Sequence, residues 1–288
     1  MIRLRAWICF CKFAPYALFA TMIVAALAVG RPLSRLLKLD DDDALSGFAW
    51  SAGLGLLAWG CLLALLGLCN GLYSPFIRGL TATSAIVGIV QLWRGGYGKP
   101  DRQLNVRARW HRFLTGLRNQ SPLTLFFAVA AGVAAGASFL SALAPPIAGD
   151  ALCYHLELPK RYLQMHGLVH IAESDNSTYP LLAEMWFLWG LAVDGPIAAQ
   201  LIHWFCGLVA AAAAFTIALP IVGRSTATIA ACLVLITPGL NNQMTAPLND
   251  VALAMFAGLA LAAGWRAVVR RDNRYAVAAG LFLGERSV

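Results

Sequence analysis

Asp150, Tyr154 and Glu157 stand at i, i+4 and i+7 within Gly149–Tyr162, a charged and aromatic segment set between two long apolar runs. In a helix that spacing places all three on one face. A carboxylate on such a face can take a proton from a substrate hydroxyl as a general base. His155, Lys160 and Arg161 share the segment, and cations beside a reacting centre offset charge that develops on a phosphate leaving group. The helical reading runs from Asp150 until Pro159 interrupts it. A second acid, Asp250, follows Asn249 at the head of a later apolar run. Two plainer readings stand beside these: an amphipathic interfacial helix with solvated charges, and an Asn249-Asp250 pair that caps a helix and meets its positive end.

The elements that must position these residues follow from composition. The chain has 288 residues, 59% hydrophobic and 12% charged, with a mean hydropathy of +0.68. A soluble domain carries about 25% charged residues. Seven apolar runs approach the length of roughly 20 residues that a helix needs to cross a bilayer. They are Phe13–Gly30, Leu45–Cys69, Phe76–Trp93, Leu123–Leu143, Ile197–Val222, Thr226–Leu240 and Asp250–Trp265. They are too long for strands and do not alternate. The predicted fold is therefore an all-α, polytopic transmembrane bundle, with interfacial amphipathic helices in its first large outer loop. Residues 1–121 form an N-terminal membrane part with a basic loop, and 122–288 a membrane core. The net charge of +8 sits at helix ends and in one loop, a pattern for anionic lipid rather than nucleic acid. Seven cysteines, mostly inside apolar runs, have neither disulfide nor zinc spacing, Cys9-x-Cys11 included.

Charge then orients the bundle. The loop Arg94–Arg118 carries Arg94, Lys99, Arg102, Arg107, Arg109, Arg112 and Arg118 against Asp101, which places it in the cytoplasm. The next run delivers Asp150 to the outer face. Pro180–Val193, at about 14 residues, is too short to cross, so it is expected at the outer interface with Trp186 and Trp189 as anchors. Ile197–Val222 then runs inward and Thr226–Leu240 outward. Asn241–Asp250 becomes a second outer loop, and Arg266, Arg270, Arg271 and Arg274 end inside. The front of the chain fits less well, because Arg3, Arg5 and Lys12 fall outside. Arg78 makes Phe76–Trp93 a doubtful span. Ala26-Leu27-Ala28 resembles a signal-peptidase site, yet a run followed by further spans reads as an uncleaved first helix. His203 and Gln200, near the start of a span, read as packing or helix-pairing groups.

Gly149-Asp150-x-x-x-Tyr154, the basic stretch after it, and Tyr179-Pro180-Leu181-Leu182 together resemble the first outer loop of GT-C glycosyltransferases. These membrane enzymes include protein O-mannosyltransferases and the lipid A aminoarabinose transferase. Ala230–Pro238 and the run Asn249–Phe256 resemble the family's second outer loop and following helix. The likeness extends over Leu123–Gly284. It implies a polyprenyl-phosphate-linked sugar as donor, inversion at the anomeric carbon, and a lipid, glycan or protein acceptor. Asp150 becomes the catalytic base, and Asp250 organises the donor phosphate or the acceptor. Tyr154, His155, Glu157, Lys160, Arg161, Tyr179, Glu184 and Asn249 complete the expected substrate contacts. The expected setting is a bacterial inner membrane, with the site facing the periplasm. Ala151 stands where the family often has Glu, which leaves open whether a divalent cation takes part. The apolar run Tyr275–Gly284 stops at Glu285, so the family fold is expected to be incomplete at its C-terminus. A non-catalytic fragment and a secondary transporter remain alternatives; the transporter predicts internal repeats and mid-helix ionisable groups.

Overall fold

A computed structural model describes residues 2–39, 43–93, 120–178 and 182–284, with side chains from Ala17 onward. The basic loop Arg94–Arg118, the acids Asp40–Asp42, Tyr179 with Pro180 and Leu181, and Glu285–Val288 lie outside the described residues. So do the side chains of Arg3, Arg5, Cys9, Cys11 and Lys12.

Every regular element among the described residues is helical. In chain order these are α1 (Ile2–Leu36), α2 (Ala44–Leu68), α3 (Ser74–Trp93), α4 (Pro122–Ser141), α5 (Glu157–Met165), α6 (Leu182–Val193), α7 (Pro196–Ile236), α8 (Pro238–Gln243), α9 (Asp250–Arg270) and α10 (Asn273–Leu283). A π-helical turn, Ala151–His155, precedes α5, and a 3-10 turn, Asp175–Thr178, follows it. Six of the helices are long and apolar enough to cross a membrane. The chain is an all-α, polytopic integral membrane bundle.

The longest helix contains two passes rather than one. Gly223, with φ 76° and ψ 172°, breaks α7, and the contacts on either side run in opposite directions. Before the break, Gln200 Nε2 donates to the Ala142 and Ala144 carbonyls at 2.9 and 3.0 Å, and Trp204 Nε1 donates to Ser138 Oγ at 3.2 Å. Just after it, the Ser225 hydroxyl meets Thr124 at the start of α4 at 2.6 Å. Asn241, in α8, then returns to Ser138 at 3.3 Å. The chain therefore descends along α4, reverses at Gly223 and climbs back, as the division into Ile197–Val222 and Thr226–Leu240 predicted. Arg224 at the reversal pairs with Asp43, whose carboxylate also caps α2 by accepting from the Leu45 and Ser46 amides.

Small residues set the helix crossings. A side chain at Gly55 would strike the backbone of Ala26, and one at Gly30 the backbone of Ser51. The glycines thus let α1 and α2 touch backbone to backbone, where dispersion rather than the hydrophobic effect holds helices together in lipid. Phe76–Trp93 forms one continuous helix within α3, with its arginine accounted for. Arg78 Nε donates to the Ala192 carbonyl at 2.7 Å, near the C-terminus of α6, where carbonyls lack helical partners and a cation is favoured.

Helix α6, at 12 residues, is shorter than a membrane span, and its tryptophans are not interface anchors. Trp186 and Trp189 are buried at 0% and 1% exposure. Trp186 Nε1 donates to the Leu56 carbonyl at 2.8 Å, and Trp189 Nε1 to Thr81 Oγ1 at 2.8 Å. Trp189 also stacks on Trp59, with ring centroids 4.3 Å apart and 10° between planes. Gly190 lies against the backbone of Ala198 and Ala199. A short apolar helix with polar tips finds partners for them inside the bundle, so it packs between α2, α3 and α7 instead of facing headgroups.

Candidate functional site

The segment after α4 is built against one end of the bundle. Gln200 supplies donors to the carbonyls just past α4, which would otherwise be orphaned. Further on, the Leu72 amide donates to the His166 carbonyl and the Leu168 amide to the Gly67 carbonyl, each at 2.9 Å. His166 takes a left-handed conformation (φ 60°) that ends α5, and its ring stacks on Tyr73 at 4.0 Å. These ties hold the loop layer onto the α2–α3 corner.

Asp150 sits immediately before the π-helical turn. It is exposed, and its carboxylate makes no capping bond. The Leu156 amide closes the wide turn on the Ala151 carbonyl at 2.9 Å. This i→i+5 bond spoils the expected single face, because one helical period no longer connects Asp150, Tyr154 and Glu157. Asp150 remains exposed, while Tyr154 and Glu157 are half-buried. Pro159 does not interrupt a helix either. It falls in the first turn of α5, where its missing N–H is not needed.

Burial separates the site residues into two groups. His155 (2% exposed) and Glu184 (4% exposed) are joined by a 2.7 Å bond from Nδ1 to Oε1. Glu184 lies in the first turn of α6, where the helix dipole favours a carboxylate. Tyr154 leans on the His155 ring at 4.1 Å, and Phe187 meets it edge-on at 6.1 Å. Buried Tyr162 lies nearby; burial, and then the Glu184 charge, push its phenol above the ordinary range. Phe187 also meets His203, with ring centroids 6.0 Å apart. His203 is 1% exposed, and the backbone of Ala246 and Gln243 lies beside its ring without a well-formed hydrogen bond. Gln200, one turn earlier on α7, also has a buried Oε1 without a partner. Sequence alone assigned these two to packing; their position on one helix face beneath a polar loop was the available signal.

The solvated group is paired within itself. Glu157 receives Arg161 Nε at 3.0 Å and Lys160 Nζ at 3.3 Å, and Arg161 also reaches Glu173 at 3.4 Å. The Arg161 bond, opposed by partial burial and aided by Lys160, holds the Glu157 carboxyl below the usual carboxylate range. The two expected phosphate-binding cations are thus neutralised by neighbouring acids in this state. Asn249 and Asp250 are exposed at the head of α9, but the Asn249 side chain makes no capping bond. Capping by that residue does not account for the pair, although Asp250 does lie at the helix's positive end. Tyr179 lies outside the described residues.

No family model matches this chain, and no curated protein or solved structure matches it. The site must be read from its own geometry.

Asp150 and Asp250 lie at one end of the bundle. Asp150 follows the C-terminal end of α4, and Asp250 follows Asn241, which contacts Ser138 near that same end. Among the described residues, no group of three or more His, Cys, Asp or Glu side chains could hold a metal ion. The arrangement offers an exposed, unpaired carboxylate on a turn that a buried imidazole–carboxylate pair ties to the bundle. Chemically, it can accept a proton from a hydroxyl presented at that end of the bundle.

Proposed function

We propose that the chain is a GT-C-type membrane glycosyltransferase that transfers a sugar from a polyprenyl-phosphate donor to a lipid, glycan or protein acceptor. The observation that carries this reading is the state of Asp150, exposed and uncapped immediately before a π-helical turn at the same bundle end as Asp250. Single π turns inside helical segments are frequent at functional sites. A lipid-phosphate donor is confined to the bilayer, so its sugar–phosphate bond lies at headgroup depth. In the proposed step Asp150 takes the acceptor hydroxyl's proton as that oxygen attacks the anomeric carbon. The carbon–oxygen bond to phosphate breaks, and the polyprenyl phosphate leaves with the electron pair. A positioned base supplies about 10²–10⁴-fold of rate.

The reading places the Asp150 end outside the cytoplasm of a bacterial inner membrane, following the positive-inside rule applied to the sequence. The test is transfer by purified, lipid-reconstituted protein from a panel of polyprenyl-phosphate hexoses. Asp150→Asn is expected to lower turnover by about 100-fold or more with folding retained. Full turnover in that variant removes the base assignment.

The buried His155–Glu184 pair favours a second reading, since ionisable pairs inside a bundle mark ion or proton paths in transporters. Neither residue lies on a spanning helix, however; one is on the loop turn and the other on short α6. The glycosyltransferase reading therefore stands first. Proton-coupled solute uptake into vesicles, without sugar transfer, would reverse that order.

A further inference from the structure

We infer that Glu184 is a positioning residue: through its bond to His155, it fixes the turn that carries Asp150. The inference rests on the proposed role of Asp150 and adds the group that sets its position.

Asp150 is held through its backbone, inside the bond from the Leu152 amide to the Ala148 carbonyl at 3.1 Å, and its side chain has no anchor of its own. Its side chain makes no cap bond, and its neighbour Gly149 has open space around it. Where its carboxylate stands therefore depends on the turn Ala151–His155. Such a turn closes fewer favourable bonds than an α-turn and needs support from its surroundings. Ala151 and His155 provide the support, because both side chains are buried while Leu152 and Cys153 between them are exposed. Ala151 can only pack. His155 also makes a directional bond, and it is the last residue of the turn.

Glu184 is well placed to hold that bond. It projects from a helix pinned at three further points: Trp186 to the Leu56 carbonyl, Trp189 to Thr81, and Arg78 to the Ala192 carbonyl. The platform under His155 is thus tied to α2 and α3. Inside a low-dielectric bundle, a 2.7 Å bond between an imidazole and a carboxylate is strong, and breaking it leaves a buried group unpaired. Tyr154 and Phe187 flank the ring, with centroids 4.1 and 6.1 Å away, and pack against it beside the bond. Residues 29 positions apart in sequence therefore determine where the exposed carboxylate stands.

Hydrogen exchange on the full chain in lipid nanodiscs tests this without any substrate. Glu184→Ala is expected to speed exchange of the Leu152 and Leu156 amides about tenfold, with α2 and α3 unchanged. Glu184→Gln keeps an acceptor for the Nδ1–H and is expected to restore exchange to near the unaltered rate. Unchanged exchange in Glu184→Ala, or equal acceleration in α2, overturns the inference. Should Glu184→Ala fail to fold, His155→Phe fills the space between Tyr154 and Phe187 without the bond, and the same two outcomes apply.

Transfer from polyprenyl-phosphate hexoses supplies the second arm. Glu184→Ala is expected to lower kcat about tenfold with donor KM unchanged, and to cost nothing more when added to Asp150→Asn. Additive losses would mean that Glu184 does not act through Asp150. Full transfer by Asp150→Asn alone would sink the base assignment, while the exchange arm would still report whether Glu184 holds the turn.

Discussion

The hydroxyls of Thr124 and Ser225 meet at 2.6 Å, joining the first turn of α4 to the point where α7 reverses. One residue makes that reversal possible. Gly223 adopts φ 76° and ψ 172°, a region of backbone space open essentially to glycine alone. Gly223→Ala meets no neighbouring atom, so its whole effect is backbone strain. The expected loss is about 1–3 kcal/mol. A lower midpoint in reversible denaturant unfolding, in mixed micelles, checks it; an unchanged midpoint would mean that the hairpin tolerates a side chain there.

Trp189 combines a ring stack with a hydrogen bond, and the two can be separated. Trp189→Phe keeps a ring against Trp59 but loses the donor to Thr81. Thr81 Oγ1 still donates to the Ile77 carbonyl, so no buried hydroxyl is stranded. The expected cost is about 1 kcal/mol, whereas Trp189→Ala should cost about 3–5 kcal/mol by leaving a cavity. Equal costs for the two variants would show that the stack contributes nothing.

Arg78 closes the end of α6. Arg78→Ala strands the Ala192 carbonyl and removes a cation from Asp194, whose carboxyl burial already pushes above the ordinary range while Arg78 opposes the shift. The variant is expected to lose about 1–3 kcal/mol and to raise the Asp194 titration further. Carbon-detected NMR of labelled aspartate in micelles reads the second effect, and an unmoved Asp194 would show that Arg78 serves the carbonyl alone.

Glu157 titrates in the opposite sense. Its folded carboxyl lies below the ordinary value because Arg161 and Lys160 favour the charged form. The unfolded chain therefore binds the proton more readily, and the pair contributes stability above the unfolded value of about 4.3. That contribution is lost as pH falls through the lower, folded value. Arg161→Ala is expected to lower Tm at neutral pH, with the difference from the unaltered protein shrinking in acid. A Tm difference constant from neutral pH to pH of about 3 would contradict the assignment.

The all-helical bundle was legible because it depends on the length of apolar runs, a local property of the chain. The reversal between Ile197–Val222 and Thr226–Leu240 was readable for that reason, and so was the shortness of the helix that ends at Val193. Where that helix packs was not legible. Apolar residues with two tryptophans suit a headgroup layer and a buried helix equally, and only Leu56, Thr81 and Trp59 decided between them. Arg78 looked like a flaw in a span until the end of α6 supplied its carbonyl.

The candidate site divides the same way. Sequence by itself determined that Asp150 and Asp250 emerge at one end of an all-helical membrane bundle, because hydrophobic length and chain direction require no knowledge of neighbours. It also brought the cations near Glu157, at spacings of three and four residues. Only the tertiary structure decided that His155 turns inward to Glu184, that a π turn separates Asp150 from the face of Tyr154 and Glu157, and that His203 sits beneath them. Those outcomes depend on which polar groups meet after the helices pack, and pairing across 29 residues leaves no periodic trace in the chain.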